Sequence, residues 1–154
     1  MTYINKGTGL ELEISKSLLD EIGKYVLGHY LDEFGGFLLG KYSEDNKRVF
    51  VEDIILPEKY NGTPTKFYRL SLGVEDEFRE AYNNKGLHYV GEWHSHPDGS
   101  TFYSKDDINA MKEIVSEETI LIENPVLLIL AVTEKMVKEY QFYLFKENKL
   151  IKYE

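Results

Sequence analysis

The chain has 154 residues, of which 27 are acidic and 18 are Lys or Arg, so its formal net charge is −9 at pH 7, and it contains no cysteine. This length is typical of a single domain with a substantial core, and we expect one domain over residues 1–154. The lack of cysteine excludes disulfides, cysteine nucleophiles and thiolate metal sites. The acidic balance argues against nucleic-acid binding, because phosphates are contacted by clustered Lys and Arg.

The amino-terminal segment has neither the basic region nor the unbroken apolar stretch of a secretory signal. The longest uncharged apolar run, Val126–Val132, is far shorter than the roughly 20 residues that cross a bilayer. We therefore expect a cytoplasmic protein that does not interact with membranes.

The first predicted elements are a strand and a helix. Residues 10–14 alternate apolar and acidic side chains (LELEI), which is the period of a half-buried strand. Ser15 or Ser17 can cap the helix that follows. Apolar residues then recur at three- and four-residue intervals, which predicts an amphipathic helix ending near Leu31.

The next segment predicts a strand pair. A glycine pair lies in the apolar segment Glu33–Gly40 (EFGGFLLG), which predicts a central strand with a close-packed neighbour. Tyr42–Lys47 is a polar turn, and Arg48–Leu56 predicts the antiparallel partner strand. Glu58–Thr65 contains Asn-Gly and Pro and predicts a surface loop, followed by a short strand over Lys66–Ser71.

The second half alternates helices and strands. The pattern predicts an amphipathic helix over Glu75–Asn84, a strand over Leu87–Trp93 and a long helix beginning at Ser104. Strands over Pro125–Thr133 and Val137–Phe145 precede a polar turn and a short terminal strand. With no internal repeat or low-complexity tract, this order predicts a single α+β domain.

Two histidines follow directly on the predicted strand Leu87–Trp93. His94 and His96 are two residues apart, so they project on one face of a strand, whereas in a helix they would diverge by about 200°. Asp107 lies in the first turn of the next predicted helix, from which its carboxylate can face back toward the strand end. These three residues form a candidate N,N,O ligand set, with which zinc keeps a fourth position open for water, as in catalytic sites.

Each part of this pattern also has a simpler explanation. A strand histidine is more often a surface or hydrogen-bonded residue than a metal ligand, and Ser104 with Asp107 can be a capping box alone. His29 and His88 have no partner at ligand spacing, so we expect both to be structural. We expect Trp93 to pack in the core or at its rim.

The joint pattern is more specific than its parts. His94-x-His96 is followed by seven residues, of which the first is Pro97, and then by Ser104-x-x-Asp107, and Glu33 lies far upstream beside the Gly-Gly strand. The pattern resembles the JAB/MPN (JAMM) zinc metalloprotease family, whose signature of Glu, His-x-His-Pro and Ser-x-x-Asp is filled at every position. The resemblance extends from about Leu10 to Leu144 and is greatest to the small stand-alone prokaryotic members. It implies a single mixed, largely antiparallel sheet flanked by helices, an architecture like that of cytidine deaminases.

This resemblance implies a zinc-dependent isopeptidase or peptidase that cleaves after the carboxyl-terminal glycine of a ubiquitin-like protein, in deconjugation or precursor processing. His94, His96 and Asp107 would bind Zn²⁺, and Glu33 would act as general base on the attacking water. Ser104 would donate a hydrogen bond to the tetrahedral oxyanion. In bacteria the family is associated with ubiquitin-like conjugation operons, including antiphage systems that attach a nucleotidyltransferase to targets, and with maturation of sulfur carriers.

Other interpretations stay open at this point. The same fold could be a catalytically silent MPN-type binding module for a ubiquitin-like partner, although all five signature residues are retained. Two histidines and a carboxylate also form the facial triad of ferrous oxygenases, but the cupin form would place Glu where this chain has Ser100 or Thr101. Glu58–Thr65 and Lys66–Ser71 are candidates for an exposed edge with which a substrate tail would pair, and ordinary packing is the alternative role of these segments. The pattern does not indicate an oligomeric state.

Overall fold

The computed structural model describes residues 1–57, 60–65, 67–69, 74–116, 122 and 124–154. Its helices are α1 (Lys16–Gly28), α2 (Val74–Lys85) and α3 (Lys105–Ser116). Its strands are β1 (Thr2–Ile4), β2 (Glu11–Ile14), β3 (Gly35–Tyr42), β4 (Arg48–Ile55), β5 (Tyr60–Gly62), β6 (Phe67–Arg69), β7 (His88–Pro97), β8 (Val126–Val132), β9 (Val137–Lys146) and β10 (Lys149–Lys152). None of the helices within these ranges has the length and apolar character needed to span a membrane.

The large sheet is mixed and its two edges meet. Its strand order is β1-β2-β4-β3-β7-β8-β9-β10, and β5 pairs separately with β6. The pairs β2–β4 and β7–β8 are parallel, whereas the other neighbours are antiparallel. The Ile4 N–H donates to the Glu154 carbonyl at 2.8 Å, and the Glu154 N–H donates to the Ile4 carbonyl at 2.9 Å. The expected α+β class with a largely antiparallel mixed sheet is confirmed.

The helices cover both faces of this sheet. Strand β8 shows the arrangement, because Leu128 and Leu130 pack in the layer that contains α1, whereas Leu127 and Ile129 pack in the layer that contains α3. Helix α2 lies over β3 and β7 on the α3 side, next to Phe37. Burial of β8 on both faces explains its unbroken apolar sequence.

Helix α1 is capped by Ser15, one of the two serines expected from the sequence, but it ends earlier than predicted. The Ser15 hydroxyl accepts the Leu18 N–H at 3.2 Å. The helix ends at Gly28 rather than near Leu31. Beyond it, the Tyr30 hydroxyl donates to the Asp98 carboxylate at 2.5 Å. This contact joins the segment after α1 to the residue that follows β7, and helical periodicity alone does not reveal it.

Strands β3 and β7 approach each other closely at the glycine pair. Gly35 is opposite His94 and Gly36 is opposite Trp93. A Cβ added to Gly35 would overlap the Trp93 carbonyl oxygen and lie 2.8 Å from the His94 Cβ, and one on Gly36 would lie 2.9 Å from the Trp93 ring. Glycine is therefore required at both positions, and the close-packed neighbour expected from the sequence is confirmed.

The end of β7 was predicted wrongly. The sequence predicts a strand over Leu87–Trp93, but β7 continues to Pro97, so both histidines lie inside the strand. Parallel pairing with β8 extends to the position where Pro97 faces Val132. A neighbouring strand, rather than local sequence, therefore decides where β7 ends.

Two further elements differ from the sequence prediction. Strand β1 was not predicted, and β5 lies in the segment Glu58–Thr65 that was expected to be a loop. Both are three residues long, so their hydrophobic pattern is too short to recognise. The predicted strand Lys66–Ser71 is observed as β6, and its residues 66, 70 and 71 lie outside the described ranges.

We predict that Gly35→Ala lowers the free energy of unfolding by about 1–3 kcal/mol, because the added methyl group forces two paired backbones apart. Gly28, at the end of α1, is the matched control, since an added Cβ there meets nothing within 4 Å. Gly28→Ala should be neutral or stabilise by about 0.4–1 kcal/mol. Urea unfolding measures both, and equal values for the two variants would contradict the packing role of Gly35.

Candidate metal centre

The two histidines lie within the sheet, on the face covered by α3. His94 is paired with Gly35 on one side and with Ile129 on the other. Because Ile129 packs in the α3 layer, His94 projects toward α3, and His96 projects on the same face two residues later. Only 13% and 14% of the two side chains are exposed.

Helix α3 begins with a reciprocal capping box. The Ser104 N–H donates to Asp107 Oδ2 at 2.7 Å, and the Asp107 N–H donates to the Ser104 hydroxyl at 3.1 Å. The capping box considered for this pair is thus present, although Asp107 also contacts the two imidazoles. The cap also holds the Asp107 carboxylate at the helix terminus, where it faces β7.

The Asp107 carboxylate and the two imidazoles converge. His94 Nε2 lies 3.1 Å from His96 Nε2 and 3.1 Å from Asp107 Oδ1, and His96 Nε2 lies 3.5 Å from Asp107 Oδ2. Donor atoms about 2.0–2.1 Å from a tetrahedral ion lie about 3.4 Å apart. Among the residues that the structure describes, these three side chains form the group that could hold a metal ion, and their spacing fits a small tetrahedral one.

The orientation of His96 is set by a second contact. His96 Nδ1 lies 2.8 Å from the Ser100 carbonyl oxygen, in the connection between β7 and α3. A carbonyl oxygen only accepts, so Nδ1 carries a proton, and once Nε2 has lost its own proton the Nε2 lone pair can bind a metal ion.

The electrostatics of the group favour a positive charge beside Asp107. Burial alone would raise the pKa of Asp107, but hydrogen bonds from His94 and His96 and from the Ser104 N–H hold it well below its usual range. Burial alone would lower the pKa of His96, whereas the Asp107 carboxylate and the Ser100 carbonyl raise it above its ordinary value. Asp107 is therefore ionised at neutral pH, with its charge directed at the two imidazoles.

Glu33 reaches the centre from the segment before β3. Its N–H donates to the Thr63 carbonyl at 2.8 Å, just after β5. A Cβ on Gly62 would lie only 2.7 Å from the Glu33 carbonyl oxygen, so β5 lies directly against the Glu33 backbone. The β5 strand, absent from the sequence prediction, thus supports the position of this residue.

The Glu33 carboxyl interacts with the ligand group without belonging to it. Burial raises its pKa, the charges of His94 and His96 oppose that rise, and the carboxylates of Asp107 and Asp106 add to it. The Glu33 carboxyl is thus close enough to His94, His96 and Asp107 for their charges to affect its pKa.

The remaining residues considered from the sequence have structural contacts. His29 stacks on Phe34 with ring centroids 3.6 Å apart, and His88 stacks on Tyr42 at 5.8 Å. Trp93 is fully buried, and its indole N–H donates to the Phe37 carbonyl at 3.2 Å. The expected structural roles of both histidines and of Trp93 are confirmed.

Ser95, the residue between the two histidines, was not predicted from the sequence to have a role. It is fully buried, and its hydroxyl accepts the Phe34 N–H at 3.0 Å, next to Glu33. A buried polar residue on the apolar face of a strand was the available signal, but it is visible only once β7 is known to extend through the histidines.

Comparisons with known proteins agree with this geometry. The family model described as prokaryotic homologs of the JAB domain matches residues 15–144. A protein of Enterobacter hormaechei subsp. hoffmannii (strain UCI 50), named CD-NTase/cGAS isopeptidase, is 33% identical over 131 residues, which cover 84% of this chain and 72% of that protein.

Solved structures share the fold at lower sequence identity. A protein from Desulfitobacterium hafniense has a TM-score of 0.64 at 17% identity, with 92% of this chain and 88% of that chain covered. A JAB1/MPN domain protein from Archaeoglobus fulgidus has a TM-score of 0.54 at 16% identity, with 90% and 94% covered. The fold is therefore that of a JAB/MPN domain. Given the family match over most of its length, the chain belongs to the prokaryotic JAB-domain family.

Proposed function

We propose that the protein is a zinc-dependent isopeptidase that cleaves a protein conjugate at the bond following the carboxyl-terminal glycine of a ubiquitin-like protein. The observation that carries this proposal is the convergence of His94, His96 and Asp107, with Glu33 beside them. Membership of the JAB family and the isopeptidase name of the E. hormaechei relative support the reaction class.

The donor set suits zinc. Two imidazole nitrogens and one carboxylate oxygen would hold the ion, and three protein ligands leave a position for water or substrate. When bound, zinc would polarise a carbonyl and lower the pKa of a water molecule from 15.7 to about 7. The Ser100 carbonyl keeps the His96 ring in the tautomer that such binding needs.

Glu33 would move the proton. Its carboxylate would accept a proton from the attacking water and then deliver it to the departing amine. Burial raises the pKa of this carboxyl, which makes it a stronger base than an exposed glutamate when it is ionised. Its backbone is fixed by the Thr63 carbonyl, so the carboxylate is presented from a defined position.

Ser104 would stabilise the oxyanion. Its hydroxyl oxygen accepts the Asp107 N–H, which leaves the hydroxyl proton to be donated to another acceptor. We expect that acceptor to be the oxygen that becomes negative in the tetrahedral state. Capping and oxyanion stabilisation thus use different parts of one hydroxyl group.

The substrate is proposed from two considerations. A glycine-rich tail offers few side chains, so it would be recognised through backbone pairing in an extended form, and the β5–β6 pair beside Glu33 is the expected place. The name of the E. hormaechei relative adds a CD-NTase to the conjugates worth testing.

We predict that Glu33→Gln keeps stoichiometric zinc and loses cleavage by about 10²–10⁴-fold, because an amide cannot accept the proton. Asp107→Ala should lose zinc as well as cleavage. The measurements are metal analysis and the turnover of ubiquitin-like and CD-NTase fusions that carry a carboxyl-terminal extension.

The same experiment separates the alternatives. Zinc-loaded protein that binds these fusions without cleaving any of them would favour the binding module. Stoichiometric iron with oxygen-dependent chemistry would favour the facial-triad interpretation. A Gln variant that cleaves at the wild-type rate would show that Glu33 is not the base.

We predict that Ser104→Ala lowers kcat by about 10²–10³-fold through loss of one oxyanion donor. It should also lower stability by about 0.5–2 kcal/mol through loss of a helix cap. Ser15→Ala is the matched control, because Ser15 caps α1 through the same type of bond. The control should lose comparable stability and no activity, and an equal fall in kcat in both variants would contradict the oxyanion role.

We predict that zinc affinity continues to rise with pH above 6.5. A proton competes with zinc for His96 Nε2, and because the pKa of His96 is raised, this proton persists to higher pH than on an ordinary imidazole. Calorimetry at pH 7 in buffers of different ionisation enthalpy should therefore detect proton release on zinc binding. The control His88→Ala should leave that release unchanged, and affinity that is constant above pH 6.5 would contradict the prediction.

A further inference from the structure

A reciprocal pair of hydrogen bonds joins two distant segments next to Glu33. The Phe34 N–H donates to the Ser95 hydroxyl at 3.0 Å, and the Ser95 N–H donates to the Phe34 carbonyl at 2.9 Å. Ser95 is fully buried. Its hydroxyl takes the place of a backbone carbonyl and extends the β3–β7 ladder beyond the last pair of strand residues, Gly35 and His94.

The Phe34 side chain is fixed as well. Its ring stacks on His29, with centroids 3.6 Å apart and planes 1° apart, and meets the Trp93 ring edge-on at 5.8 Å. The residue is only 3% exposed. Because its ring and both of its backbone polar groups have defined partners, Phe34 cannot shift without β7.

Glu33 is directly attached to this anchor. The Phe34 N–H that Ser95 accepts belongs to the peptide unit joining Glu33 to Phe34. The Phe34 ring packs in the core layer that contains α1, whereas the Glu33 carboxyl interacts with His94 and His96, which project on the α3 face. A general base works only at a defined distance from its proton, and a misplacement of about 1 Å can cost about 10²-fold in rate.

We propose that Ser95 is a positioning residue for Glu33, and this inference rests on the proposed function. From the α1 side of β7, its hydroxyl holds the Glu33–Phe34 peptide at a fixed distance from the two histidines that flank it in the chain. The proposed base and two of the proposed metal ligands are therefore positioned by the same strand, β7. Ser95 holds the peptide of the base, and the two histidines are its neighbours in the chain.

Other contacts keep the two segments together when this hydroxyl is removed. The exposed Tyr30 hydroxyl donates to Asp98 at 2.5 Å, and Gly35 keeps its pairing with His94. We therefore expect Ser95→Ala to fold, with a local change at the Glu33–Phe34 peptide rather than a global one.

The test compares Ser95→Ala, Ser95→Cys and Ser95→Thr with the control Thr8→Val. Thr8 is a matched control because its hydroxyl also accepts a backbone N–H, from Leu10 at 3.2 Å, in the loop after β1. All four variants should retain stoichiometric zinc. Ser95→Ala should lower kcat by about 10–100-fold with KM within about twofold of wild type, since substrate binding is unaffected.

The remaining variants test whether kcat follows the ability of residue 95 to accept the Phe34 N–H. Ser95→Thr should restore kcat because it returns the hydroxyl, and Ser95→Cys should be intermediate because sulfur is a weak acceptor. Thr8→Val should match wild type. If Ser95→Ala does not fold, the Cys variant takes its place.

Two measurements are independent of turnover. Amide hydrogen exchange at Phe34 should accelerate in Ser95→Ala, and the NMR signal of the Glu33 carboxyl carbon should move. The exchange rate and the carboxyl signal should both have their wild-type values in Ser95→Thr and in Thr8→Val. If wild-type protein cleaves no conjugate, the proposed function fails, while these two measurements still decide whether Ser95 holds Glu33.

Several results would overturn the inference. One is a wild-type kcat in Ser95→Ala, and another is an unchanged Phe34 exchange rate together with an unchanged Glu33 carboxyl signal in that variant. Loss of zinc alongside the loss of activity in Ser95→Ala is a third, and an equal loss of activity in Thr8→Val is a fourth. A folded Ser95→Thr protein as impaired as Ser95→Ala would also overturn it, because the hydroxyl is present in one and absent in the other.

Discussion

The contact of β3 with β7 is the constraint on which the candidate centre depends. Gly35 faces His94 across the ladder, and paired residues project on the same side of a sheet. The missing side chain at Gly35 lets β3 approach β7 closely, because an added Cβ would overlap the Trp93 carbonyl oxygen and crowd the His94 Cβ. Glu33 lies two residues before Gly35, in the segment that precedes β3. The close approach at Gly35 thus brings the segment that carries Glu33 next to the strand that carries the two histidines.

The Asp107 carboxylate links the folding of α3 to the same centre. It completes the capping box with Ser104, lies at the positive end of the helix dipole and contacts both imidazoles. A carboxylate with these partners is held in its charged form, which explains how the group tolerates burial. The helix terminus and the candidate ligand set are consequently stabilised by one side chain, so the first turn of α3 and the end of β7 are expected to order together.

Local periodicity predicted most of the elements and the candidate ligand set, whereas contacts between distant segments were not predictable. The strand period puts His94 and His96 on one face and the helix start puts Asp107 in the first turn of α3, so local patterns already indicated these three residues. The register that places Glu33 beside them joins residues about 60 positions apart, and only the family resemblance indicated it. Two other features were not predicted because they also depend on contacts between separate segments. They are β5, which pairs with β6 and contacts the Glu33 backbone, and the continuation of β7 along β8 to Pro97.

Two carboxyl groups in one region have different tasks because their surroundings differ. Asp107 accepts hydrogen bonds from two imidazoles and a backbone N–H, which hold its pKa well below the usual range. The pKa of Glu33 is raised by burial and by the charges of Asp107 and Asp106, whereas the charges of the two histidines lower it. A group that holds its charge is suited to bind a cation, whereas a group that readily regains a proton is suited to carry one. The pKa difference thus supports, independently of the sequence signature, the proposed assignment of Asp107 as ligand and Glu33 as base.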